Sequence, residues 1–239
     1  MSEHNPNVNV FDQDVEKNGG YVYTTATQLS SKLATQRTKD IILETGAFKG
    51  QAVLDVGCGD GYYSIYFWDN GQPKRMAGLD AASNAIKAAN DNKQERPIEF
   101  IAGDSHHLPY DNNSFDIVSI QSILHHDDDP LLTIREAFRV APKIIIHEPN
   151  GYNFGLKVIE KVSKYHREHG EKSYTSHLLG SWIKQAGGKV VYERFAGFVP
   201  MFCSDRVAKI TKKVEPIIET IPLINRLGCA VYVLVAERQ

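Results

Sequence analysis

The sequence has little cysteine, no surplus of charge and no long apolar run, and each shortage argues against a class of protein. Its three cysteines, Cys58, Cys203 and Cys229, are odd in number and far apart. We therefore expect reduced thiols in a cytoplasmic protein, with neither a disulfide framework nor a zinc site. A net charge of −2 supplies no basic surplus for DNA or RNA phosphates, which predicts no nucleic-acid partner. The apolar runs are far shorter than the roughly 20 residues that span a bilayer, and the N-terminus has no signal-peptide core.

The chain does have enough apolar material for one folded unit. With 239 residues, 42% of them hydrophobic, we expect residues 1–239 to form a single α/β domain. Residues 1–20 are polar and are expected to form a flexible N-terminal arm, followed by a helix that ends near Gly46. Apolar runs after the first strand predict further strands at 75–80, 97–102, 115–121, 143–146, 190–195 and 229–236.

The stretch at residues 52–61, AVLDVGCGDG, joins a predicted buried strand to a glycine-rich turn. Gly57, Gly59 and Gly61 stand at alternate positions, which suits a tight turn on which a ligand lies directly against the main chain. A helix from Tyr62 would direct its free N–H groups at the same cavity. The pattern therefore predicts a ligand-binding loop.

The spacing of these glycines separates two kinds of cofactor site. The dinucleotide fingerprint G-x-G-x-x-G would need glycine at position 62, where the chain has tyrosine. The motif present, D-x-G-x-G-x-G beginning at Asp55, resembles the first motif of the class I S-adenosylmethionine-dependent methyltransferases. This resemblance implies S-adenosylmethionine as cofactor and S-adenosylhomocysteine as product. It also implies that the loop lies beneath the methionine part and that Asp55 helps to hold the ammonium group.

An acidic residue ends the second predicted strand, about 20 residues beyond the loop, as in nucleotide-binding folds. This residue, Asp80, can accept two hydrogen bonds from ribose hydroxyls, and we assign the following Ala81 to the same site. The alternative is a solvated acid at a strand end.

The segment at residues 103–120, GDSHHLPYDNNSFDIVSI, extends the resemblance to the subgroup that includes menaquinone and ubiquinone biosynthesis enzymes. In that subgroup the acid, here Asp104, accepts from the adenine amino group, and the next residue, Ser105, offers its backbone N–H to the ring. The resemblance implies a Rossmann-like three-layer sandwich around a seven-stranded, mostly parallel sheet of order 3-2-1-4-5-7-6. The last strand would be antiparallel, with a helical insertion before it.

Polar residues follow the fourth predicted strand, where the ligand crevice of an open parallel sheet lies. We assign Gln121 to the cofactor, and His125 or His126 as a base that deprotonates an acceptor hydroxyl. The alternative is that a histidine only orients the loop or caps the next helix. A metal site built from these histidines, residues 127–129, His147 and Glu148 is a further alternative. Three aspartates before a proline are more typical of a helix start, so we predict no metal.

The end of the fifth strand is also unusually polar. His147, Glu148 and Asn150 are predicted to contact a hydroxylated acceptor, or alternatively to satisfy backbone groups of an irregular loop. Tyr21 is predicted to belong to a lid over the cofactor, or alternatively to pack on the edge of the domain.

Two segments depart from the minimal fold and are candidates for the substrate side or a lid, at 150–175 and 199–228. The charged run that ends near Ser173 reads more readily as a solvated helix face. The second segment combines an apolar helical stripe with lysines. It is predicted to be a lid over an apolar acceptor, a helix packed on the sheet, or a transient contact with a membrane surface.

The motifs together predict a methyltransferase that moves a methyl group to a small-molecule or lipid-linked acceptor, at oxygen, by in-line displacement. One alternative is a cofactor-binding protein of the same fold without methyl transfer. The other is a nicotinamide-dependent reductase, which the glycine spacing disfavours.

Overall fold

The structure is a computed structural model that describes residues 26–163 and 172–239. The predicted arm at 1–20 lies outside these ranges. The strands are β1 (Ala52–Val56), β2 (Arg75–Asp80), β3 (Ile98–Ala102), β4 (Ile117–Gln121), β5 (Lys143–Pro149), β6 (Gly188–Ala196) and β7 (Val231–Arg238). The helices of the described ranges are α1 (Leu29–Leu43), α2 (Tyr62–Gly71), α3 (Ser83–Asn92), α4 (Pro130–Val140), α5 (Phe154–Val162), α6 (Ser176–Gln185), α7 (Asp205–Ile218) and α8 (Ile224–Gly228).

The strands form one sheet of order β3-β2-β1-β4-β5-β7-β6. The first five strands pair in parallel, and β7 runs antiparallel to both β5 and β6. The predicted order and the antiparallel last strand are therefore confirmed. Val231 of β7 pairs with Pro149 of β5 and with Ala196 of β6. All strands except β7 thus end at one edge of the sheet, which we call the carboxyl edge.

Helices cover both faces of the sheet, which confirms the three-layer sandwich. Ile41 and Ile42 of α1, with Phe67 of α2, are buried in the core of one face, and α3 packs beside them. On the other face, α4 buries Ile134 against β4 and β5, and α6 buries Leu179 against β6 and β7. Each large apolar side chain so buried contributes about 1.5–3 kcal/mol.

The strand limits differ from the predicted ones by at most three residues, and the differences have local causes. Strand β6 begins at Gly188, where an added Cβ would lie 2.3 Å from Cζ of Phe138, so only glycine fits. Strand β7 begins two residues later than predicted because the carbonyl of Cys229 accepts side-chain amides of Asn150 and Asn153 instead of ladder bonds.

The described helices include none whose length and apolar content would let it cross a bilayer.

A buried ion pair fastens α1 to the segment after α7. Arg37 donates from Nε to Oε1 of Glu219 at 2.8 Å and from Nη2 to Oε2 at 2.5 Å, a bidentate arrangement between residues 182 positions apart. The same carboxylate accepts the N–H of Gly197 at 3.0 Å, just beyond β6. Glu44, which is more exposed, accepts a third bond from Arg37.

We expect Arg37→Met to lower the free energy of unfolding by about 3 kcal/mol, because it leaves the buried Glu219 carboxylate with only the longer, 3.5 Å contact to Arg194. Urea unfolding followed by circular dichroism measures the loss. The matched control is Glu44→Gln, which removes only the exposed partner and should cost less than about 1 kcal/mol. Equal losses for the two variants would show that the buried pair contributes no more to stability than the exposed contact with Glu44.

Candidate active site

The glycine-rich loop leaves β1 at the carboxyl edge and turns into α2. Gly57, Gly59 and Gly61 have φ values of 77°, 55° and 78°, in the left-handed region that favours glycine. The N–H of Gly57 donates to the carbonyl of Leu79 at 2.7 Å. An added Cβ at Gly57 would lie 2.2 Å from Cγ2 of Ile123, so the loop runs directly beneath that side chain. The tight turn predicted from the glycines is what the structure contains.

Asp55 lies behind this loop and is 1% exposed. Its Oδ2 accepts the hydroxyl of Ser64 at 2.5 Å, and its Oδ1 lies 3.4 Å from Nε2 of Gln121. Burial raises the pKa of Asp55 to about 7, although the bonds from Ser64 and Gln121 lower it. A cation that reached this carboxylate would therefore favour loss of its proton.

Asp80 ends β2 and holds the loop from the other side. Its Oδ2 accepts the N–H of Gly59 at 2.9 Å, and its Oδ1 accepts the N–H of Ala82 at 2.8 Å. Ala81 lies between these contacts and is half-buried. These two hydrogen bonds fix the carboxylate in place at the carboxyl edge, and a carboxylate accepts hydrogen bonds from hydroxyls.

Asp104 and Ser105 follow β3, whose last residue, Ala102, pairs with Asp80. Asp104 is half-buried and accepts the N–H of His106 at 2.9 Å, while the buried Ser105 hydroxyl lies 3.0 Å from that of Thr133. Residues assigned to the cofactor thus come together from the ends of four adjacent strands, β3, β2, β1 and β4.

The turn after β4 is held by a carboxylate from the neighbouring strand. Glu148 is fully buried on β5, and its Oε1 accepts the N–H of Ile123 at 3.0 Å and of Leu124 at 2.9 Å. Its Oε2 lies 2.6 Å from Nδ1 of His125. Burial raises the pKa of Glu148 to about 8, although the backbone N–H groups and His147 lower it. Oε2 and Nδ1 are thus joined by one hydrogen bond, whose donor depends on the tautomer of His125.

His147 has a different environment from its neighbour. Its Nδ1 lies 3.1 Å from the hydroxyl of Ser122, a residue with a φ of 53°. Its Nε2 is buried and has no hydrogen-bond partner among the described residues. Burial lowers the pKa of His147 to about 4, so the ring is neutral at pH 7. An unpaired buried nitrogen has a free-energy cost and is available to a ligand hydroxyl.

The side chain of Asn150 satisfies backbone groups of an irregular loop, which was the alternative prediction for the end of the fifth strand. It is buried, and its Nδ2 donates to the carbonyls of Arg226 and Cys229, both at 2.8 Å. Its contacts are with backbone groups of the irregular loop, and Glu148 likewise accepts backbone N–H groups of the turn after β4. Predicted acceptor contact at these two residues gains no support from their positions. Tyr21 lies outside the described residues.

The second histidine after β4 and the three aspartates do not assemble with His147 and Glu148. The ring of His126 lies against that of His125, with centroids 3.9 Å apart and the ring planes tilted by 45°. Asp129 begins α4 by accepting the N–H of Leu132 at 3.1 Å, which confirms the helix start. Among described residues, atoms of His106, Asp127 and Asp128 do lie within 4.8 Å of one another. Hydrogen bonds to Asp127 from His106 and Thr133 account for that cluster without an ion.

Three supporting residues escaped the sequence analysis. Ser64 binds Asp55, Ser122 binds His147, and Ser119 lies 3.0 Å from Nε2 of Gln121. Ser64 had a detectable signal, since it stands in the first turn of a helix that begins at the glycine loop. Ser119 stands two residues before Gln121 and so shares its face of β4. Ser122 had no local signal, because its contact with His147 depends on the register between β4 and β5.

Comparison with known proteins identifies the family of this chain. The family described as a methyltransferase domain matches residues 54–143, from β1 to the start of β5. The demethylmenaquinone methyltransferase of Oceanobacillus iheyensis is 32% identical over 204 residues, and the match covers 74% of this chain and 83% of that protein. This chain belongs to the class I S-adenosylmethionine-dependent methyltransferases. Within them, it resembles the menaquinone biosynthesis enzymes, as predicted.

Solved structures share the fold of this methyltransferase at low sequence identity. An S-adenosylmethionine-dependent methyltransferase from Thermotoga maritima has a TM-score of 0.70 at 13% identity, covering 98% of this chain and 100% of that one. The magnesium protoporphyrin IX methyltransferase of Synechocystis, solved with S-adenosylhomocysteine, has a TM-score of 0.62 at 17% identity, covering 90% and 89%. The family implies S-adenosylmethionine as the cofactor of this methyltransferase.

We expect Asp80→Ala to weaken binding of S-adenosylmethionine by about 1–3 kcal/mol, because charge-assisted bonds to the ribose and the support of Gly59 are lost together. Titration calorimetry measures the change. Asp116→Ala is the matched control, since Asp116 also accepts a backbone N–H, from Ala52 at 2.8 Å, but at the opposite edge of the sheet. Unchanged affinity in the Asp80 variant would remove this residue from the cofactor site.

The raised pKa of Asp55 predicts that affinity for S-adenosylhomocysteine falls with acid. Below a pKa of about 7 the carboxyl takes up a proton and no longer attracts the ligand ammonium. We expect affinity to fall by about tenfold per pH unit below that value. Calorimetry across this range tests it, and Asp55→Asn should give a flat profile. If the affinity of the wild type were equally independent of pH, the ionised carboxylate of Asp55 would not contribute to binding.

Proposed function

We propose that this protein methylates a hydroxylated, lipid-linked small molecule at oxygen, by in-line displacement from S-adenosylmethionine, with His125 as the base. The observation that carries the proposal is the His125–Glu148 pair, which lies at the carboxyl edge beside the glycine loop. The location we propose is cytoplasmic, and we propose no nucleic-acid partner and no catalytic metal.

The residues of the first four strands fit the cofactor. An added Cβ at Gly57 would lie 2.2 Å from Cγ2 of Ile123, so the loop presents bare main chain there, and Oε1 of Gln121 is buried without a partner among described residues. Asp55 would pair with the ammonium group, Asp80 would accept from the ribose and Asp104 from the adenine amino group. The remaining contacts are proposed for Gly57, Gly59, Gly61, Ala81, Ser105 and Gln121. S-adenosylmethionine supplies an electrophilic methyl group, so the protein needs chiefly to align the acceptor and exclude water.

Glu148 gives His125 the orientation that a base requires. When the Glu148 carboxylate accepts the Nδ1 proton, Nε2 is the basic atom of the ring. Nε2 would then take the proton of the acceptor hydroxyl, while the unpaired Nε2 of His147 accepts or orients a second polar group of the acceptor. His126 and Tyr21 are proposed to line the same space. Glu148 and Asn150 act on the acceptor through the loops that they hold.

The proposed class of acceptor is taken from the Oceanobacillus relative. The Oceanobacillus protein is named for demethylmenaquinone, and we propose an acceptor of that kind, with a hydroxylated ring and an apolar tail. An ionised ring hydroxyl shares its charge with adjacent ring carbons, so the same base would also serve methylation at carbon. The similarity to that relative makes carbon methylation the second candidate.

The test uses S-adenosylmethionine with a labelled methyl group and chemically reduced demethylmenaquinone in detergent. We expect His125→Asn to lower turnover by about a hundredfold or more with unchanged affinity for S-adenosylhomocysteine, since a base is lost and the cofactor loop is intact. His177→Asn, an exposed histidine on α6, is the matched control. Nuclear magnetic resonance of the product separates oxygen from carbon methylation.

Equal turnover in wild type and His125→Asn would show that His125 is not the base. Tight binding of S-adenosylhomocysteine without turnover of any hydroxylated acceptor would favour the alternative of a cofactor-binding protein that does not transfer methyl groups. Stabilisation by a nicotinamide dinucleotide instead of S-adenosylhomocysteine would favour the reductase.

A further inference from the structure

Exposed apolar side chains are concentrated in two segments beside the carboxyl edge. In the part of the chain that the structure describes, every exposed large apolar side chain except Leu178 and Val191 lies in α5 or between residues 202 and 227. We call α5 and residues 202–227 the apolar rim. The first segment follows the end of β5, and the second connects the end of β6 to β7. Both therefore begin at the edge that carries the candidate site.

The polarity of α7 is reversed relative to an ordinary surface helix. Its apolar stripe faces outward, and Ile210 and Ile217 are 63% and 61% exposed. The carboxylates at its C-terminal end face inward, since Glu215 and the following Glu219 are buried. The stripe comprises Val207, Ile210, Val214 and Ile217. A helix packed on the sheet through this stripe, one of the predicted alternatives, is therefore not what the structure contains.

Hydrogen bonds fix this orientation. Oε2 of Glu215 accepts the N–H of Phe198 at 2.8 Å, and Oε1 of Glu219 accepts the N–H of Gly197 at 3.0 Å. The bidentate pair with Arg37 adds to them. Rotating α7 to bury its isoleucines would break all these bonds, so the apolar stripe stays at the surface.

A row of cations runs beside the stripe. Arg206, Lys209 and Lys213 are exposed, each one residue before a member of the apolar stripe, and no ion pair with a described residue is recorded for any of them. Between residues 199 and 228 the exposed carboxylate is that of Asp205. The surface of a chain with net charge −2 is therefore locally positive here.

The two parts of the apolar rim adjoin each other. Nδ2 of Asn153, at the start of α5, donates to the carbonyls of Gly228 and Cys229 at 3.2 and 3.1 Å. The guanidinium of Arg226 lies 4.0 Å over the ring of Tyr152. Phe154, the first residue of α5, is 80% exposed beside this junction.

We propose that the apolar rim docks on the surface of an anionic phospholipid bilayer. An outward apolar stripe with cations along one side matches both layers of such a surface, because apolar groups enter the acyl boundary while cations meet the headgroup phosphates. Docking would turn the carboxyl edge toward the bilayer, and only this last point rests on the proposed lipid-linked acceptor.

A second copy of the chain fits the rim less well than a bilayer. In a symmetric dimer the same patch meets itself, so the row of Arg206, Lys209 and Lys213 would face an identical row. Like charges brought together in this way oppose association.

The test is co-sedimentation of the full chain with vesicles of phosphatidylcholine, alone or mixed with phosphatidylglycerol. We expect binding to the mixed vesicles and much weaker binding to phosphatidylcholine alone. The triple variant Arg206→Gln, Lys209→Gln and Lys213→Gln should weaken binding to mixed vesicles by roughly a hundredfold. The double variant Ile210→Gln and Ile217→Gln should lose binding to both kinds of vesicle.

Matched controls change the same residue types elsewhere on the surface. Lys87→Gln, Lys184→Gln and Lys189→Gln together, or Leu178→Gln with Val191→Gln, should bind as wild type does. Absence of vesicle binding, or equal losses in the controls, would overturn the proposal. A dimer in light scattering that the Ile210 and Ile217 variant dissociates would assign the rim to a second copy instead. Thermal stabilisation by S-adenosylhomocysteine, measured on every variant, reports folding and tests the proposed function separately.

Discussion

The buried carboxylate of Glu148, on β5, fixes the turn that follows β4 at the candidate active site. It binds the backbone of Ile123 and Leu124 and the ring of His125, all of which follow β4. Ile123 in turn covers Gly57, where no Cβ could fit. The position of the cofactor loop and that of the proposed base are therefore linked through one side chain, and a change at Glu148 would disturb both.

Placing ionisable groups in the interior has a cost, and the chain offsets it by hydrogen bonds rather than by solvent. Asp55 and Glu148 both have pKa values raised by burial, and each accepts bonds from neighbouring groups that partly counter the shift. Glu219 is compensated differently, by a bidentate arginine from α1. Such groups lower overall stability compared with apolar packing, and their retention at the carboxyl edge is consistent with a role in ligand binding.

The fold and the cofactor half of the site could be predicted because their signals are local. The glycines at 57, 59 and 61 require backbone conformations that one short stretch of sequence specifies. Strand order came from resemblance, and strand limits from apolar runs, with errors where side-chain bonds compete with the ladder, as at Cys229. Roles in binding and catalysis stay predictions for all of these residues.

The acceptor half was less predictable because its contacts connect distant positions. The hydrogen-bond partners of Glu148 lie more than twenty residues earlier, and the carbonyls that accept from the Asn150 side chain lie more than seventy residues later. The apolar stripe of α7 looks like a core stripe in sequence, and only the burial of Glu215 and Glu219 reveals that it faces outward. Periodicity gives the existence of a stripe but not the direction in which it points.

Strand β4 lies between two groups of strands, one beside the glycine loop and one that carries the additional segments. On one side lie β1, β2 and β3 with the glycine loop, and on the other lie β5, β7 and β6 with every segment that departs from the minimal fold. Insertions and exchanges in the second group can lengthen or reshape the rim without shifting the register of the first. The loops on the side of β5, β7 and β6 can thus differ in length and sequence while the sheet that carries the glycine loop keeps its geometry.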